Sequence, residues 1–440
     1  MRILLLCHGL PPDSVGGVEQ HVDGLAKALV LAGHAVEIFA RGNLPGTPQG
    51  DTVTVGDPNA NPRITRAAYR WEQVRDLETI YTSPPMAAAL QRFLQARSAA
   101  GVRFDVAHVH HLTGMSTDAL AVLHDARVPT VLTLHDYWLF CPRGQMFHKR
   151  EERCETATIA RCGECLQATF PWWLNEQTRD AQVASVHARA LRALALPQCL
   201  VVPSARAIPP FVELGVPADR FVVVENGVDV ERLATLPPAA GGPGPLRVGY
   251  FGTVMPSKGL HVLLDAIEAL PRGLVQLRIH GNVVPYHGDE TYASRCLQRL
   301  RPGSGVTYFG PYGLDELPKL LADIDVLAAP ALWHEAFGLT VREALAAARP
   351  VLVSRVGGLQ DAVQDGVQGL VLPPGDVPAW TAALRGLATA PQRVASMARS
   401  ARVRARGFAA MAADVVAVYQ TAIARRELTM GSAGTAGRAT

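Results

Sequence analysis

Hydrophobic and polar positions fall into short repeating blocks. Residues 2–7 form an apolar run stopped by His8, Pro11, Pro12 and Asp13, which predicts a buried strand ending in a loop. A loop with Gly16 and Gly17 follows. Val18, Val22, Leu25 and Leu29 then recur at helical spacing, and Gly33 suits a helix C-cap. A second apolar strand at 35–40 completes a β-α-β unit. The rhythm returns at 106–110 and 130–134, with a helix between them. Strands alternating with helices predict a parallel sheet covered on both faces.

Between residues 137 and 173 this rhythm stops, and the stretch reads as an insertion or long loop. It resumes in a helix at 176–195 and a strand at 200–203. Residues 235–245, TLPPAAGGPGP, are rich in Pro and Gly and mark a linker or exposed loop near a domain boundary. Strand patterns follow at 247–251, 275–280, 306–308, 326–329, 350–354 and 369–372. Two such halves predict two Rossmann-like α/β domains, 1–205 and 206–407, with a ligand cleft between the carboxyl ends of their sheets. The pattern ends in a helix at 408–427 and a tail, 428–440, expected to be disordered.

At 440 residues the chain exceeds what one core usually organises. Its 48% hydrophobic and 18% charged residues describe an ordinary globular protein, and a net charge of +3 gives no footprint for nucleic acid. Every long apolar stretch is broken by charge, as Asp23 and Lys27 break 18–32, so no membrane span is expected. The expected location is the cytoplasm, where cysteines are thiols or metal ligands rather than disulfides.

The richest chemistry lies in HEAFGLTVREALAAARPVLVSRVGG (334–358). Glu335 falls in a loop after a strand, and Glu343 eight residues later on a helix opened by Phe337, Gly338, Leu339 and Thr340. A glycine there lets a diphosphate approach exposed N–H groups, and the helix dipole favours the anion. Carboxylates suit sugar hydroxyls rather than phosphate. Two acids flanking an anion-binding turn therefore point to a nucleotide-sugar. The competing reading is two solvated surface acids. Lys258, after a strand and Gly252, is a phosphate candidate or an ordinary loop lysine. Gly16 and Gly17 fit a tight turn equally well. The Asn226-Gly227 pair reads as a turn at the domain junction.

Four of the seven cysteines, Cys141, Cys154, Cys162 and Cys165, fall in the irregular stretch. They read either as a structural zinc site, with His148 able to replace one, or as four unrelated thiols. Trp172 and Trp173 read as core residues or as an interfacial anchor for peripheral membrane contact. The balanced charges around them argue against a strongly basic membrane patch.

GGVEQH (16–21), DVAHVHH (105–111), VENGVD (224–229), YFGTVMPSKG (250–259), the E-x7-E segment (335–343) and GGLQDAVQDGVQGLV (357–371) stand in order along nearly the whole chain. In this the sequence resembles the family-4 retaining glycosyltransferases (group 1) of the GT-B fold. The resemblance implies that the helix at 408–427 returns to the first domain. It gives Glu335 the donor-sugar hydroxyls, Glu343 the ribose, and Gly338–Thr340 with Gly16–Gly17 the sugar and diphosphate. Lys258 would neutralise the leaving diphosphate. His110 would wall the reacting sugar, with His111 as substitute, against the bland reading of a core histidine. Thr253 stands where the family often has an arginine, which turns attention to Arg355 or Arg342. The resemblance further implies a UDP- or GDP-type donor, no cofactor or metal for catalysis, and retention by same-face attack. The acceptor would be a hydroxyl of a glycan, glycolipid or small molecule. A phosphorylase and a non-catalytic scaffold are the alternatives.

Overall fold

The computed structural model describes residues 1–11, 13, 14, 16–402 and 405–436, with the backbone alone for 429–436. The chain divides into two compact units. The first takes residues 1–144, 156–227 and the terminal segment from Phe408, and the second takes 145–155 and 228–407.

Eight strands build the sheet of the first unit: β1 (Arg2–Cys7), β2 (Ala35–Gly42), β3 (Thr52–Val55), β4 (Arg63–Ala68), β5 (Val106–Val109), β6 (Thr130–Thr133), β7 (Cys199–Val202) and β8 (Phe221–Val223). Their order is β3-β4-β2-β1-β5-β6-β7-β8, parallel throughout except that edge strand β3 runs antiparallel to β4. β1 is central, and Ile3 to Cys7 are wholly buried, as a strand covered on both faces requires. Ile3, Leu5 and Cys7 share a core with Val22, Leu25 and Leu29 of the helix Gly17–Leu31 and with Met411, Val415 and Tyr419 of the helix Phe408–Ala436. Each such aliphatic side chain contributes about 1.5–3 kcal/mol on burial. The two helices approach closely at Gly24, where a Cβ would lie 2.2 Å from the Phe408 ring.

The second unit has six parallel strands, β9 (Leu246–Phe251), β10 (Val275–His280), β11 (Val306–Gly310), β12 (Val326–Ala329), β13 (Val351–Ser354) and β14 (Gly369–Leu372). Their order is β11-β10-β9-β12-β13-β14. Val248, Leu263, Leu277, Ile279, Trp380 and Leu384 are central to its core.

Several elements differ from the sequence pattern. The boundary falls at Gly227 rather than near 205, because β8 pairs with β7 and extends the first sheet. The Asn226-Gly227 pair therefore lies at the junction. Residues 235–245 form a mostly exposed loop just past this boundary, as the Pro and Gly content predicts, but the loop is fastened to the second unit. Ala239 is buried, and the carbonyls of Leu236 and Pro237 accept from Arg402 and Arg349. The irregular stretch contains a helix, Ile159–Thr169, capped by the Thr158 hydroxyl, and residues 145–155 leave it to join the second unit. The terminal helix runs on through Ala436, past the expected limit at 427. Propagation gains one hydrogen bond per residue, and no proline interrupts it. The remainder of the expected tail, 437–440, lies outside the described residues. No helix among the described residues is long and apolar enough to cross a membrane.

Candidate functional site

Candidate chemistry occurs in each unit. In the second, the chain leaves β12 and passes Trp333, His334 and Glu335 before the helix Leu339–Ala346. Gly338 caps this helix with φ +81°, and a Cβ there would stand 2.3 Å from Leu359. Only glycine closes the turn without strain or clash. The N–H groups of Leu339 and Thr340 lie in the first turn, where a helix offers them no carbonyl and its dipole is positive. The Glu335 backbone is held from the other side, its carbonyl accepting from Gly358 N at 2.8 Å.

The Glu335 carboxylate accepts from Lys258 Nζ at 2.5 Å and from Trp333 Nε1 at 3.0 Å. The ammonium also lies 5.1 Å from the Trp333 ring centroid. Lys258 ends a 3-10 turn, Pro256–Lys258, followed by Gly259 at φ +69°, where a Cβ would lie 2.0 Å from the Pro330 carbonyl. Leu332 N donates to the Ser257 carbonyl at 2.8 Å. The turn bearing Lys258 and the loop bearing Glu335 are thus one construction. Gly252 N donates to the His280 carbonyl at 2.9 Å, and a Cβ on Gly252 would meet nothing within 4 Å. Thr253 contributes its carbonyl, which accepts from the Tyr250 hydroxyl at 3.0 Å.

Glu343 is buried, and among the described residues nothing donates a hydrogen bond to its carboxylate. Burial pushes its pKa up to about 7. Tyr312 lies near it, its hydroxyl pushed up by burial and then by the Glu343 charge. A buried carboxylate is costly until donors reach it, and a pair of ligand hydroxyls would be such donors. Arg342 is buried with its guanidinium 3.8 Å from the Phe337 ring centroid and donates to the Phe337 carbonyl, so it braces the turn. Arg355 is exposed just past β13.

The sequence pattern did not mark residues 145–155 as part of this construction. Gln145 Oε1 accepts from the Ser257 hydroxyl at 2.6 Å and from the Tyr286 hydroxyl at 3.1 Å. His334 Nε2 is 2.9 Å from the Cys154 carbonyl, and Lys149 pairs with Asp289 at 2.7 Å. The segment thus fastens to the immediate neighbours of Lys258 and Glu335.

In the first unit, Gly16 precedes the helix Gly17–Leu31 in an extended conformation, with Glu19 in the first turn. Burial pushes the Glu19 carboxyl up. The hydrogen bond from His8 at 3.2 Å and another from Ser14 outweigh it and hold the pKa at about 2. An ionised acid therefore already faces this helix end, and a diphosphate reaching Gly16 and Gly17 would meet it.

His110 is buried in a stack of imidazoles. Its Nδ1 is 3.2 Å from His135 Nε2, and its ring centroid is 4.0 Å from that of His108. His108 is itself satisfied by the Tyr419 hydroxyl at 2.8 Å and the Thr133 hydroxyl at 2.7 Å. His21, His110 and His135 bring ring nitrogens within 4.8 Å of one another, close enough to share one small polar ligand or an ion. Burial lowers the pKa of all three, His21 to about 4, so they are neutral at pH 7. Both His21 nitrogens and His110 Nε2 are buried without a hydrogen-bond partner in the described structure. A satisfied core histidine would not look like this. His111 pairs with Asp136 at 3.3 Å. His21 lies in the GGVEQH motif and His135 just past β6, and their places at a helix start and a strand end are the signals that could have found them.

Of the four cysteines in the irregular stretch, Cys162 and Cys165 sit one turn apart on the helix Ile159–Thr169. Cys141 and Cys162 both act on the Tyr81 hydroxyl, which burial and these neighbours push well up. Cys154 belongs to the second unit, as does His148. Trp172 is 67% exposed, whereas Phe170 is buried.

The sequence model of the glycosyl transferases group 1 matches residues 245–390, and that of Glycosyltransferase Family 4 matches 15–232. The glycogen synthase of Mycobacterium tuberculosis (strain CDC 1551) is 30% identical over 421 residues, covering 92% of this chain and 90% of that protein. The MMP alpha-(1->4)-mannosyltransferase of Mycolicibacterium hassiacum is 27% identical over 442 residues, with coverage of 97% and 99%. Among solved structures, Anabaena HepE in complex with UDP superposes with a TM-score of 0.65 at 18% identity, covering 96% of this chain and 100% of that one. Sucrose-phosphate synthase from Thermosynechococcus elongatus gives 0.66 at 22% identity, covering 96% and 99%. With family matches on both halves, a relative aligned over nine-tenths of its length and this pair of parallel sheets, the chain belongs to the group 1 glycosyltransferases of the GT-B fold.

Proposed function

We propose that this glycosyltransferase moves a hexosyl group from a UDP- or GDP-type sugar to a hydroxyl acceptor, with retention at the anomeric carbon and without a catalytic metal. The observation that carries the reading is Glu343, a buried carboxylate without a donor among the described residues, one helix turn beyond the N–H groups of Leu339 and Thr340. A nucleotide-sugar supplies what both lack: ribose hydroxyls for the acid and a diphosphate for the helix end. Lys258 offsets the charge that grows on the diphosphate as the anomeric C–O bond breaks. Glu335 holds hydroxyls of the donor sugar. The acceptor oxygen bonds to the anomeric carbon on the face the diphosphate leaves, and its proton passes to the departing phosphate oxygen. His110, neutral and with Nε2 unpartnered, offers a hydrogen bond to the reacting sugar. The family resemblance gives Gly16 and Gly17 to a diphosphate as well, and the ionised Glu19 at that helix end limits how close an anion comes.

The acceptor is read as a polysaccharide or glycolipid intermediate met in the cytoplasm, with the exposed Trp172 as a side chain able to touch a membrane surface. Proton NMR of the product formed from an α-linked donor should show an α-linkage, with turnover unchanged in EDTA. A β-linked product would overturn retention, and phosphate-dependent cleavage of a disaccharide would mark a phosphorylase instead.

For the cysteine-rich stretch we propose a structural zinc. Metal analysis of the purified chain should find about one zinc, lost in Cys162→Ser, as expected where thiolates are the ligands. A zinc-free, fully folded protein would leave four separate thiols.

A further inference from the structure

A recess of about 610 Å³ opens in the first unit at the carboxyl ends of β1, β2 and β4, where open α/β sheets collect ligands. His8, Ser14, Arg41, Tyr69, Arg70 and Trp71 line it. Arg41 is fixed there from several sides. Its Nε donates to the His8 carbonyl at 2.5 Å, and its guanidinium carbon lies 4.7 Å from the Trp71 ring centroid and 5.7 Å from that of Tyr69. Behind it is Gly114 at φ +70°, where a Cβ would come within 2.8 Å of Arg41 Cδ.

For all this bracing, Arg41 pairs with no carboxylate among the described residues. The neighbouring Arg66 is neutralised by Asp13, and the nearby Glu19 is committed to His8 and Ser14. Aromatic faces compensate a cation by about 0.5–2 kcal/mol, less than the cost of a partly buried charge left unpaired. Arg70, on the rim, uses one nitrogen on the Thr47 carbonyl at 3.2 Å and likewise has no ion pair. Glu72, exposed on the rim, is the remaining uncommitted acid of the lining. Trp71 is 54% exposed despite the Arg41 contact, and the Tyr69 ring meets it edge-on at 5.1 Å. A half-exposed indole against the Arg41 guanidinium and the Tyr69 edge, with Arg70 on the same lining, matches a sugar ring carrying an anion.

We propose that this recess is the acceptor subsite and that it takes a saccharide bearing a phosphate or carboxylate, paired by Arg41 and Arg70 with the ring against Trp71. The inference rests on the transferase reading and narrows its acceptor.

Calorimetry on the full chain would compare the 6-phosphates and uronates of glucose, mannose and galactose with the neutral hexoses, and measure UDP and GDP in parallel. The anionic sugars should bind at least tenfold more tightly than their neutral parents, and whichever anion binds better identifies its source. Arg41→Gln should erase that preference, and Trp71→Ala should weaken every sugar several-fold. Neither should alter the nucleoside diphosphate Kd. Equal affinity for neutral and anionic sugars would overturn the proposal, as would a preference that survives in folded Arg41→Gln. Should that variant fail to fold, Arg70→Gln on the exposed rim carries the same test, with a reduced preference expected. Sugars that bind as described to a chain binding neither UDP nor GDP would refute the donor reading and leave the recess standing.

Discussion

Lys258→Ala should lower turnover by roughly two to three orders of magnitude, the usual effect of removing one preorganised group that stabilises developing charge. Glu335→Ala should lower turnover by a similar factor yet change the nucleoside diphosphate Kd little, because the acid serves the sugar hydroxyls as they approach the transition state. The ion pair between the two makes their effects unequal and non-additive. With Lys258 gone, Glu335 keeps the Trp333 N–H and presents an uncompensated charge beside the place a diphosphate would take. Nucleotide affinity should therefore fall further in Lys258→Ala than loss of the ammonium alone would cause. The double variant should regain part of that affinity while remaining inactive. Release of nucleoside diphosphate and calorimetric binding separate these outcomes. Full turnover in Glu335→Ala, with a matching acceptor, would sink the assignment.

Glu343→Gln should weaken nucleotide binding by roughly tenfold, since a hydrogen bond to a charged acceptor is worth about 1.5–3 kcal/mol and an amide replaces it poorly. It should also stabilise the ligand-free protein at alkaline pH. Burial raises this carboxyl from 4.5 to about 7 in the folded chain, so the folded state holds its proton more strongly than the unfolded one. The wild type therefore loses stability as pH rises from about 4.5 through about 7, by about 3 kcal/mol in all. Glutamine stays neutral and avoids that loss, so the variant should melt several degrees higher at pH 8. Binding runs the other way. The ionised acid accepts from hydroxyls, so wild-type affinity should rise with pH through about 7 and the variant's should stay flat. Melting curves and calorimetry between pH 5.5 and 8.5 would show both trends. A wild-type affinity independent of pH would remove Glu343 from the ribose.

Where the apolar runs are short and bounded, as in β1 or the strands from 246 to 372, the sequence periodicity located the elements within a few residues. It failed where tertiary partners decide. β3 is only four residues long, and β4 carries Arg66 between Ile64 and Ala68 on one face, so β4 is revealed by its pairing with β2 and β3 by its pairing with β4. β8 is three residues long and became visible through its register with β7. In the candidate site, Glu335, Gly338 and Glu343 could be proposed together because a turn with one helix needs residues close in sequence, whereas Lys258, 77 residues from Glu335, was proposed from its place after a strand and Gly252. Gln145 and Ser257 are 112 residues apart, and no spacing rule joins them. Arg41 and Trp71 share a recess only because β2 and β4 are neighbours in the sheet.

The helix Phe408–Ala436 is synthesised after every strand it covers. Until it emerges, Val106, Val131 and Val201 of β5 to β7 lack the apolar side chains that complete their core, and His108 lacks the Tyr419 hydroxyl that anchors the imidazole row behind His110. The first half of the chain therefore cannot finish folding on its own during translation, and a nascent chain waits with an exposed sheet face for its last segment. A product stopped before Phe408 is at once sticky and without its anchored histidines, which favours its recognition by chaperones and proteases over its survival as a half-working enzyme.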